Sequence, residues 1–529
     1  MKELLKTHLP PNWAVASLSD LAVDPTSNIV DGPFGSNLKA SEYIDSGVPI
    51  IRLQNVAPGE FVEKNIRFIS LDKADSLHRH SYLPGDLVIT KLGSPLGEAC
   101  IVPDQFPTGV IVADIVRARL APGINRRGIM YAINSEQVQG QFKFWTKGTT
   151  RPRVNLQHVR GVQIPLPPSA ELDRIVAEIE KQFTRLDAAT AALKRAQANL
   201  RRYRASVLKA ACEGRLVPTE AELARKEGRD YEAADQLLQR ILGERRARWE
   251  ADTLAKMIAS GKRPKDDSWK QKYKEPAAPD TASLPRLPEG WCWATFEQVT
   301  QIQGGIQKQP SRRPQRSVFP FLRVANVLRA RVDLSDIHQI ELFDGELERL
   351  RLEPGDLLIV EGNGSPTEIG RMAIWEGQIP DCVHQNHIIR ARPLLGADSN
   401  FLACFWNSSF GAAQVSAVAS STTGLHTLSV GKISGLCVPL PPSSEQRRIV
   451  TAMMRLIESL ERVGLATEDQ MKKANAVRRA MLSTAFSGKL IPQNSADEPA
   501  SALLERIRAE RSAERASSKS RHKEEPIYV

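Results

Sequence analysis

Two stretches of the chain place apolar residues at a seven-residue period. Over residues 170–212 one row holds Leu172, Ile179, Leu186, Leu193, Leu200 and Val207, and a companion row holds Val176, Phe183 and Thr190. No proline or glycine interrupts the run before Gly214, a residue suited to ending a helix because it takes positive φ without strain. Sevenfold spacing over more than four repeats predicts a coiled-coil helix, and roughly 43 residues would span about 65 Å. The second stretch holds Ile449, Leu456, Val463 and Val477 in one row and Met453, Leu460 and Met481 in another, with Gly464 as a weak point. Two seams of similar length in one chain are best buried against each other, so an antiparallel pair is expected. The competing outcome is two separate helices, each packed on its own domain. A Pro-Leu-Pro-Pro-Ser segment precedes each helix. Prolines delay helix entry, Ser169 and Ser443 suit the N-cap, and Glu171 and Glu445 suit the first turn.

Elsewhere the pattern changes to short apolar runs bounded by turn residues. Residues 86–90 follow Pro84-Gly85 and residues 356–360 follow Pro354-Gly355. Both read as strands entered from a turn, with Asp86 and Asp356 as turn residues. Residues 110–112 and 115–119 continue the pattern. Apolar and basic residues alternate in the latter, which predicts one basic sheet face. Short helices are expected near 125–145 and 399–418, with Asn134 and Asn407 in comparable contexts. Each globular unit is therefore a mixed α/β (α+β) domain dominated by a twisted sheet.

The halves are copies. Residues 161–218 and 435–492 align without a gap at an offset of 274, with 18 identities in 58 positions. Leu9-Pro10-Pro11-Asn12-Trp13 returns as Leu287-Pro288-Glu289-Gly290-Trp291, residues 48–56 return as 319–327, Pro84-Gly85-Asp86-Leu87 as Pro354-Gly355-Asp356-Leu357, and Gly93-Ser94-Pro95 as Gly364-Ser365-Pro366. Between these anchors the copies diverge, as expected of one fold bearing two binding surfaces. Such a duplication predicts pseudo-two-fold symmetry. The expected plan is a globular domain at 1–163, a long helix at 164–218, an amphipathic helix and extended linker at 219–283, a second globular domain at 284–437, a second long helix at 438–492, and an amphipathic helix with a disordered tail at 493–529. The stripes near 232–241 and 498–507 want a partner, either the chain's own coiled coil or another subunit.

At 529 residues the chain exceeds a single core. A net charge of +11 fits a polyanionic partner, although charge alone fits a merely basic protein equally well. Six scattered cysteines form no C-x-x-C pair, which predicts reduced thiols in a cytosol. No apolar run reaches membrane-spanning length, and MKELLKTHLPPNW is no signal peptide. A cytoplasmic protein is expected.

Catalytic constellations are missing from the sequence. Gly261-Lys262 and Gly431-Lys432 lack the upstream glycine and hydroxyl residue of a phosphate loop. No Asn/Asp-Pro-Pro-Tyr/Phe methyltransferase motif occurs. The pairs His78/His80 and His384/His387 have no carboxylate or cysteine at ligand spacing and read as turn or surface histidines. No catalytic residue and no metal site is expected.

The paired Pro-Leu-Pro-Pro-Ser-x-Glu-x-x-Arg-Ile-Val helices, the run Asp31-Gly32-Pro33-Phe34-Gly35-Ser36-Asn37-Leu38-Lys39 and the Gly-Lys/Arg-Leu helix exits resemble the DNA-specificity subunits of type I restriction–modification enzymes. The resemblance covers nearly the whole chain. The second unit departs from it, with Gly304-Gly305-Ile306-Gln307-Lys308-Gln309 in place of the Gly-Pro-Phe-Gly-Ser run. The resemblance implies two target-recognition domains that each read half of a split site in double-stranded DNA, with the helices as the ruler between them. It also implies two methyltransferase (M) subunits carrying S-adenosylmethionine, two ATP- and Mg²⁺-dependent restriction (R) subunits, and no catalysis or cofactor in this chain.

Arg, Lys, Asn and Gln suit base edges, and cations on phosphates supply affinity. Candidate contacts are Lys39, Arg52, Lys91, Arg151 and Arg153 in the first domain. In the second they are Lys308, Arg312, Arg313, Arg316 and Arg323. A solvated surface charge is the alternative for each. Arg52 and Arg323 occupy matched positions and could serve the shared scaffold or a phosphate. Loops 149–153 and 420–426 are expected to face DNA. Two other functions stay open: a coiled-coil scaffold that binds no DNA, and a self-sufficient DNA-modifying enzyme.

Overall fold

The computed structural model describes residues 9–34, 36–93, 96–146, 152–363, 368–422 and 425–521. The chain forms two compact units, one of residues 1–194 with 468–529 and one of residues 195–467.

In the first unit, Ala14–Ser17 pairs antiparallel with Gln163–Leu166. A four-stranded sheet runs in the order Ile29–Asp31, Ile115–Ala118, Leu87–Thr90, Ala99–Ile101. A second runs Arg67–Ile69, Val48–Ile51, Gly109–Ile111, Ser81–Tyr82, with one parallel pair, Val48–Ile51 beside Gly109–Ile111. Leu87–Thr90 is buried at every position, which is why it reads as an unbroken apolar run instead of an alternating one. Helices Arg126–Ile133 and Glu136–Trp145 follow, as the sequence predicts.

The second unit repeats this plan. Cys292–Thr295 pairs with Cys437–Leu440. Its main sheet runs Thr300–Gly304, Ile388–Pro393, Leu357–Val360, Met372–Ile374, and a smaller one holds His338–Glu341, Val318–Leu322 and Val383–His384. Helices Ser399–Asn407 and Ser409–Val418 occupy the predicted place.

The duplicated anchors prove to be buried polar joints. Asp86 is 4% exposed and accepts two hydrogen bonds from Arg119, at 3.0 and 2.8 Å. Asp356 is 1% exposed and accepts two from Arg392, at 2.7 and 2.8 Å. The reading of both as turn residues holds, since the Asp86 and Asp356 N–H groups close their turns on the Leu83 and Glu353 carbonyls at 3.1 and 3.0 Å; each aspartate is in addition the core partner of an arginine. The predicted basic sheet face, in contrast, is corrected. Arg117 is buried and donates to the Ser27 and Asn28 carbonyls, both at 3.1 Å. Its counterpart Arg390 donates to the carbonyls of Arg349 and Arg351. A buried guanidinium needs its donors filled, and these backbone carbonyls satisfy the Nη atoms, while Nε of each has no hydrogen-bond partner among the described residues. His384, expected at a turn or surface, is fully buried, and burial with nearby Arg390 pulls its pKa down to about 4, leaving it neutral.

The long helices are Ser169–Cys212 and Ser443–Ala485, and the unit boundary falls inside both. In the first unit Leu172, Ile175, Val176 and Ile179 share a core with Leu482, Ala485 and Phe486. Arg478 pairs with Asp187 and lies 4.7 Å from the Phe183 ring. In the second unit Val207, Ala211 and Cys212 share a core with Ile449, Val450 and Met453, and Arg204 reaches Glu461 at 3.3 Å. Within each unit the early half of one helix lies beside the late half of the other, so the pair is antiparallel.

The seam of the second helix differs from expectation. Val463 and Val477 are each 47% exposed, while Thr467 and Ala474 are 8% exposed. The companion row continues through them as Met453, Leu460, Thr467, Ala474, Met481, an unbroken sevenfold period. The other row slips from position 463 to Gly464, since a 3.6-residue helix drifts about 20° per heptad against a 3.5 repeat.

Each helix start is locked by a tryptophan. Trp13 Nε1 donates to the Glu171 carboxylate at 3.1 Å, and Gln493 Nε2 adds a bond at 2.7 Å. Trp291 Nε1 donates to Glu445 at 2.9 Å, joined by the Glu220 backbone N–H at 2.7 Å.

Both amphipathic stripes are buried within the chain, in cores that combine α/β-domain residues with residues of the long helices. On helix Ala234–Ala259, Leu237 and Ile241 are buried, and Arg245 donates to the Glu297 and Thr300 carbonyls. On helix Ala500–Arg521, Leu503, Leu504 and Ile507 enter the first unit's core, and Arg511 donates to the carbonyls of Ser19, Ala22 and Val23. Each arm thus packs on the domain copy opposite to the one preceding it in sequence. The arm Ala500–Arg521 extends helix into the tail expected to be disordered, whose residues 522–529 lie outside the described residues. The linker is also more ordered than expected. Ser268–Lys272 makes a 3-10 turn, and buried Trp269 stacks 6.0 Å from Trp249.

Candidate nucleic-acid interface

In each unit the central buried strand delivers its last residue to a loop cluster at one sheet edge. After Leu87–Thr90, the Lys91 N–H donates to the Asp114 carbonyl at 2.8 Å, and the Lys91 carbonyl accepts from Val154 at 3.0 Å. Gly93 N–H donates to the Pro152 carbonyl, and Leu92 bridges to Arg153. The loop after the strand and the loop before helix Leu156–Gly161 are thereby tied side by side. The matching bonds follow Leu357–Val360: Glu361 N–H to the His387 carbonyl at 2.9 Å, and Leu428 N–H to the Glu361 carbonyl at 2.7 Å. Here Gly362–Asn363, Leu425–Thr427 and Ser420–Thr422 zip into a small sheet.

A glycine starts the third loop of each cluster. Gly32 N–H donates to the Ile115 carbonyl at 3.0 Å, and a Cβ at Gly32 would stand 2.1 Å from the Val112 carbonyl. A Cβ at Gly305 would stand 2.3 Å from the His384 carbonyl and 2.4 Å from that of Gln385. Only glycine fits either approach. The two are equivalent by register, because Val30 pairs with Arg117 as Gln303 pairs with Arg390. A cleft of roughly 600 Å³ lies beside the first loop, lined by Pro33, Leu38, Tyr43, Arg52, Gln54 and Asp114 among others.

The ten candidate residues divide by partner. Lys91 is tied to Asp31. Arg52 Nη2 donates to the Asn65 carbonyl at 2.6 Å, and the matched Arg323 pairs with Asp336 at 2.5 Å. Both precede a 3-10 turn in which an asparagine, Asn55 or Asn326, accepts their backbone N–H. Arg312 makes a two-point pair with Glu346 at 2.8 and 2.9 Å and covers the Phe343 ring at 4.7 Å. That pair holds the Glu346 carboxyl down at about 2. Lys39, Arg153, Lys308, Arg313 and Arg316 are exposed. Arg151 lies outside the described residues, as do positions 149–150 and 423–424 of the two loops.

Charge at the matched edges differs in sign. Where the first unit has Lys91 against Asp31, the second has Glu361 3.1 Å from His387. Sequence reasoning nominated neither Asp31 nor Glu361 as an interface residue because its candidates were cations, and it read His387 only as a turn or surface histidine. The structural anchors on either side carry the signal that aligns them. Among the described residues no group of three or more His, Cys, Asp or Glu could hold a metal ion, and no helix is long and apolar enough to cross a membrane.

No family model matches the chain. It is similar to the type I restriction enzyme EcoKI specificity subunit of Escherichia coli K12, 22% identical over 531 residues, covering 97% of this chain and 99% of that protein. It is likewise similar to the StySPI specificity subunit of Salmonella potsdam, 22% identical over 534 residues with 97% and 99% covered. Among solved structures, a chain of a type I R-M system studied for complex assembly and conformational transition superposes with a TM-score of 0.57 at 17% identity, covering 91% of this chain and 99% of that one. That likeness bears on the fold.

Proposed function

We propose a function from the premise that this chain is a specificity subunit of the type I restriction–modification family: it binds double-stranded DNA at a bipartite site and directs adenine methylation and ATP-dependent cleavage by other subunits. The observation that carries the reading is similarity along nearly the whole chain to type I specificity subunits, joined to a duplicated α/β scaffold whose matched edges differ in chemistry. The globular domains at 1–163 and 284–437 would each read one half-site, and the long helices would set the gap. Successive major-groove faces recur about every 34–36 Å, a distance that helices of this length can bridge.

The chain itself would be non-catalytic and cofactor-free. Two methyltransferase subunits would bring S-adenosylmethionine, two restriction subunits would bring ATP and Mg²⁺ chemistry, and the assembly would work in the cytoplasm. Affinity would come from exposed cations such as Lys39, Arg153, Lys308, Arg313 and Arg316 on phosphates. Arg52, Arg312 and Arg323, already engaged within the protein, would shape the loops instead.

The test is to incubate the purified chain, with and without its methyltransferase partner, with DNA, S-adenosylmethionine, Mg²⁺ and ATP. Methylation of a split site only with the partner is expected. Methylation or cutting by the chain alone would refute the assignment. Binding that neither weakens with salt nor prefers a sequence would favour a protein scaffold.

A further inference from the structure

The loop between Gly305 and strand Val318–Leu322 belongs to the stretch where the second unit departs from the family resemblance, and its support has no counterpart in the first unit. With residues 48–56 matched to 319–327, the pairing of Val48 with Ile69 corresponds to that of Phe319 with Ile340. Ser70 and Glu341 are therefore equivalent positions. Ser70 caps helix Leu71–Ser76, its hydroxyl accepting from the Lys73 N–H at 3.2 Å. Glu341 reaches instead to the end of the incoming loop. Its carboxylate accepts three consecutive backbone N–H groups, from Gln315 at 2.7 Å, Arg316 at 3.0 Å and Ser317 at 2.8 Å. The Leu342 N–H adds a bond to the Ser317 carbonyl at 3.0 Å.

Successive N–H groups converging on one point make a concavity suited to an anion, and here the anion is the protein's own. Charge-assisted bonds of this kind are stronger than neutral ones. The Ser317 and Gln315 N–H groups, with a smaller contribution from the Arg316 charge, hold the Glu341 carboxyl below its ordinary value. Earlier in the loop, Arg312 is fixed by its two-point pair with Glu346 and by the Phe343 ring. The chain is thus tied on both sides of Arg313, with Pro310 and Pro314 limiting its freedom further. Arg313 and Arg316 are exposed, and neither side chain makes a hydrogen bond to a described residue. A carboxylate in such a cationic loop opposes phosphate by its charge. What it gives in return is order, because a loop already held incurs less ordering cost on binding.

We propose that Glu341 is a positioning residue for DNA binding by the second unit: by fixing the backbone of residues 315–317 it holds Arg313 and Arg316 ready for phosphate. This rests on the function proposed above. The first unit, with Ser70 at the same place, lacks the device.

The sign of the effect separates this role from plain electrostatics. The experiment measures binding of the full chain, assembled with its methyltransferase partner, to a duplex carrying its methylated site, over a series of salt concentrations. Glu341→Gln keeps the size of the side chain and removes one negative charge. Charge alone would tighten binding. Positioning predicts binding weaker by about 5- to 30-fold, the cost of ordering roughly one backbone residue anew, and a salt slope reduced by about 1. In a chain that already carries Arg313→Ala and Arg316→Ala, Glu341→Gln should add no further loss. Tighter or unchanged binding in the single variant would overturn the proposal. An equal loss in the background without the two arginines would also overturn it, since that marks a purely structural role. A wild-type complex with no preference for any duplex sequence would instead sink the functional reading beneath it.

Discussion

The two sheet units keep their interiors and exchange their edges. Asp86 with Arg119 and Asp356 with Arg392 are matching pairs, each built on a buried aspartate, and Arg117 and Arg390 both donate to backbone carbonyls. At the loop edge a few residues on, Lys91 with Asp31 becomes Glu361 with His387, and Phe34 becomes Gln307. Buried charges resist change because removing either member strands the other in low dielectric. Exposed edge residues such as Phe34, Gln307 and His387 carry no such constraint, so one scaffold can hold two surfaces of unlike charge and shape.

The strongest way to break this comparison is to cut a buried pair. Arg119→Ala and Arg392→Ala should each destabilise their unit by about 3–5 kcal/mol, seen as a lowered denaturation midpoint. Equal losses would show the interiors are equivalent, and a loss in one alone would show they have diverged. Truncating an arm comes next. Ile241→Ala and Ile507→Ala should each cost about 2–5 kcal/mol, and proteolysis should expose the domain on which each arm packs, not the one it follows in sequence.

Binding separates edge from interior more finely. Arg313→Ala and Arg316→Ala should each weaken DNA binding at all sequences and reduce the slope of log affinity against log salt by about 1. Arg312→Ala should leave that slope nearly intact while lowering stability, because its guanidinium serves Glu346. The smallest effect concerns pH. The Glu346 carboxyl is held at about 2 by Arg312, against an ordinary 4.5. Its contribution is present above pH 4.5 and is lost as pH falls from there toward 2. Glu346→Gln should therefore flatten the acid limb of the melting profile and leave the neutral limb parallel to wild type.

Much of this architecture was legible in the sequence, for physical reasons. Leu87–Thr90, entered from a Pro-Gly turn and apolar up to its closing threonine, could be read as a strand, and the sevenfold rows announced the long helices. Position 463 was misread because periodicity counts apolar residues, whereas burial follows helical phase; Thr467 and Ala474 fill the seam although neither is strongly apolar. Arg117 was misread, and the burial of the turn residues Asp86 and Asp356 was missed, because a charged residue looks solvent-facing until its partners elsewhere in the fold are known. At the candidate interface, composition could nominate cations but could not tell exposed Arg313 from Arg312, which Glu346 already holds. The equivalence of Phe34 and Gln307 needed strand register, since no sequence identity marks it.

The central claim is that two dissimilar readers are held at a set spacing along one duplex. The most direct measurement is sequencing of the host's methylated adenines with and without this chain. The account predicts that removing it abolishes methylation at a motif of two specific halves separated by a non-specific gap of constant length. It further predicts that one added heptad in both long helices changes the gap or ends activity and leaves the halves as they were. A contiguous motif, a gap of variable length, or a methylation pattern unaltered by the chain's loss would contradict it.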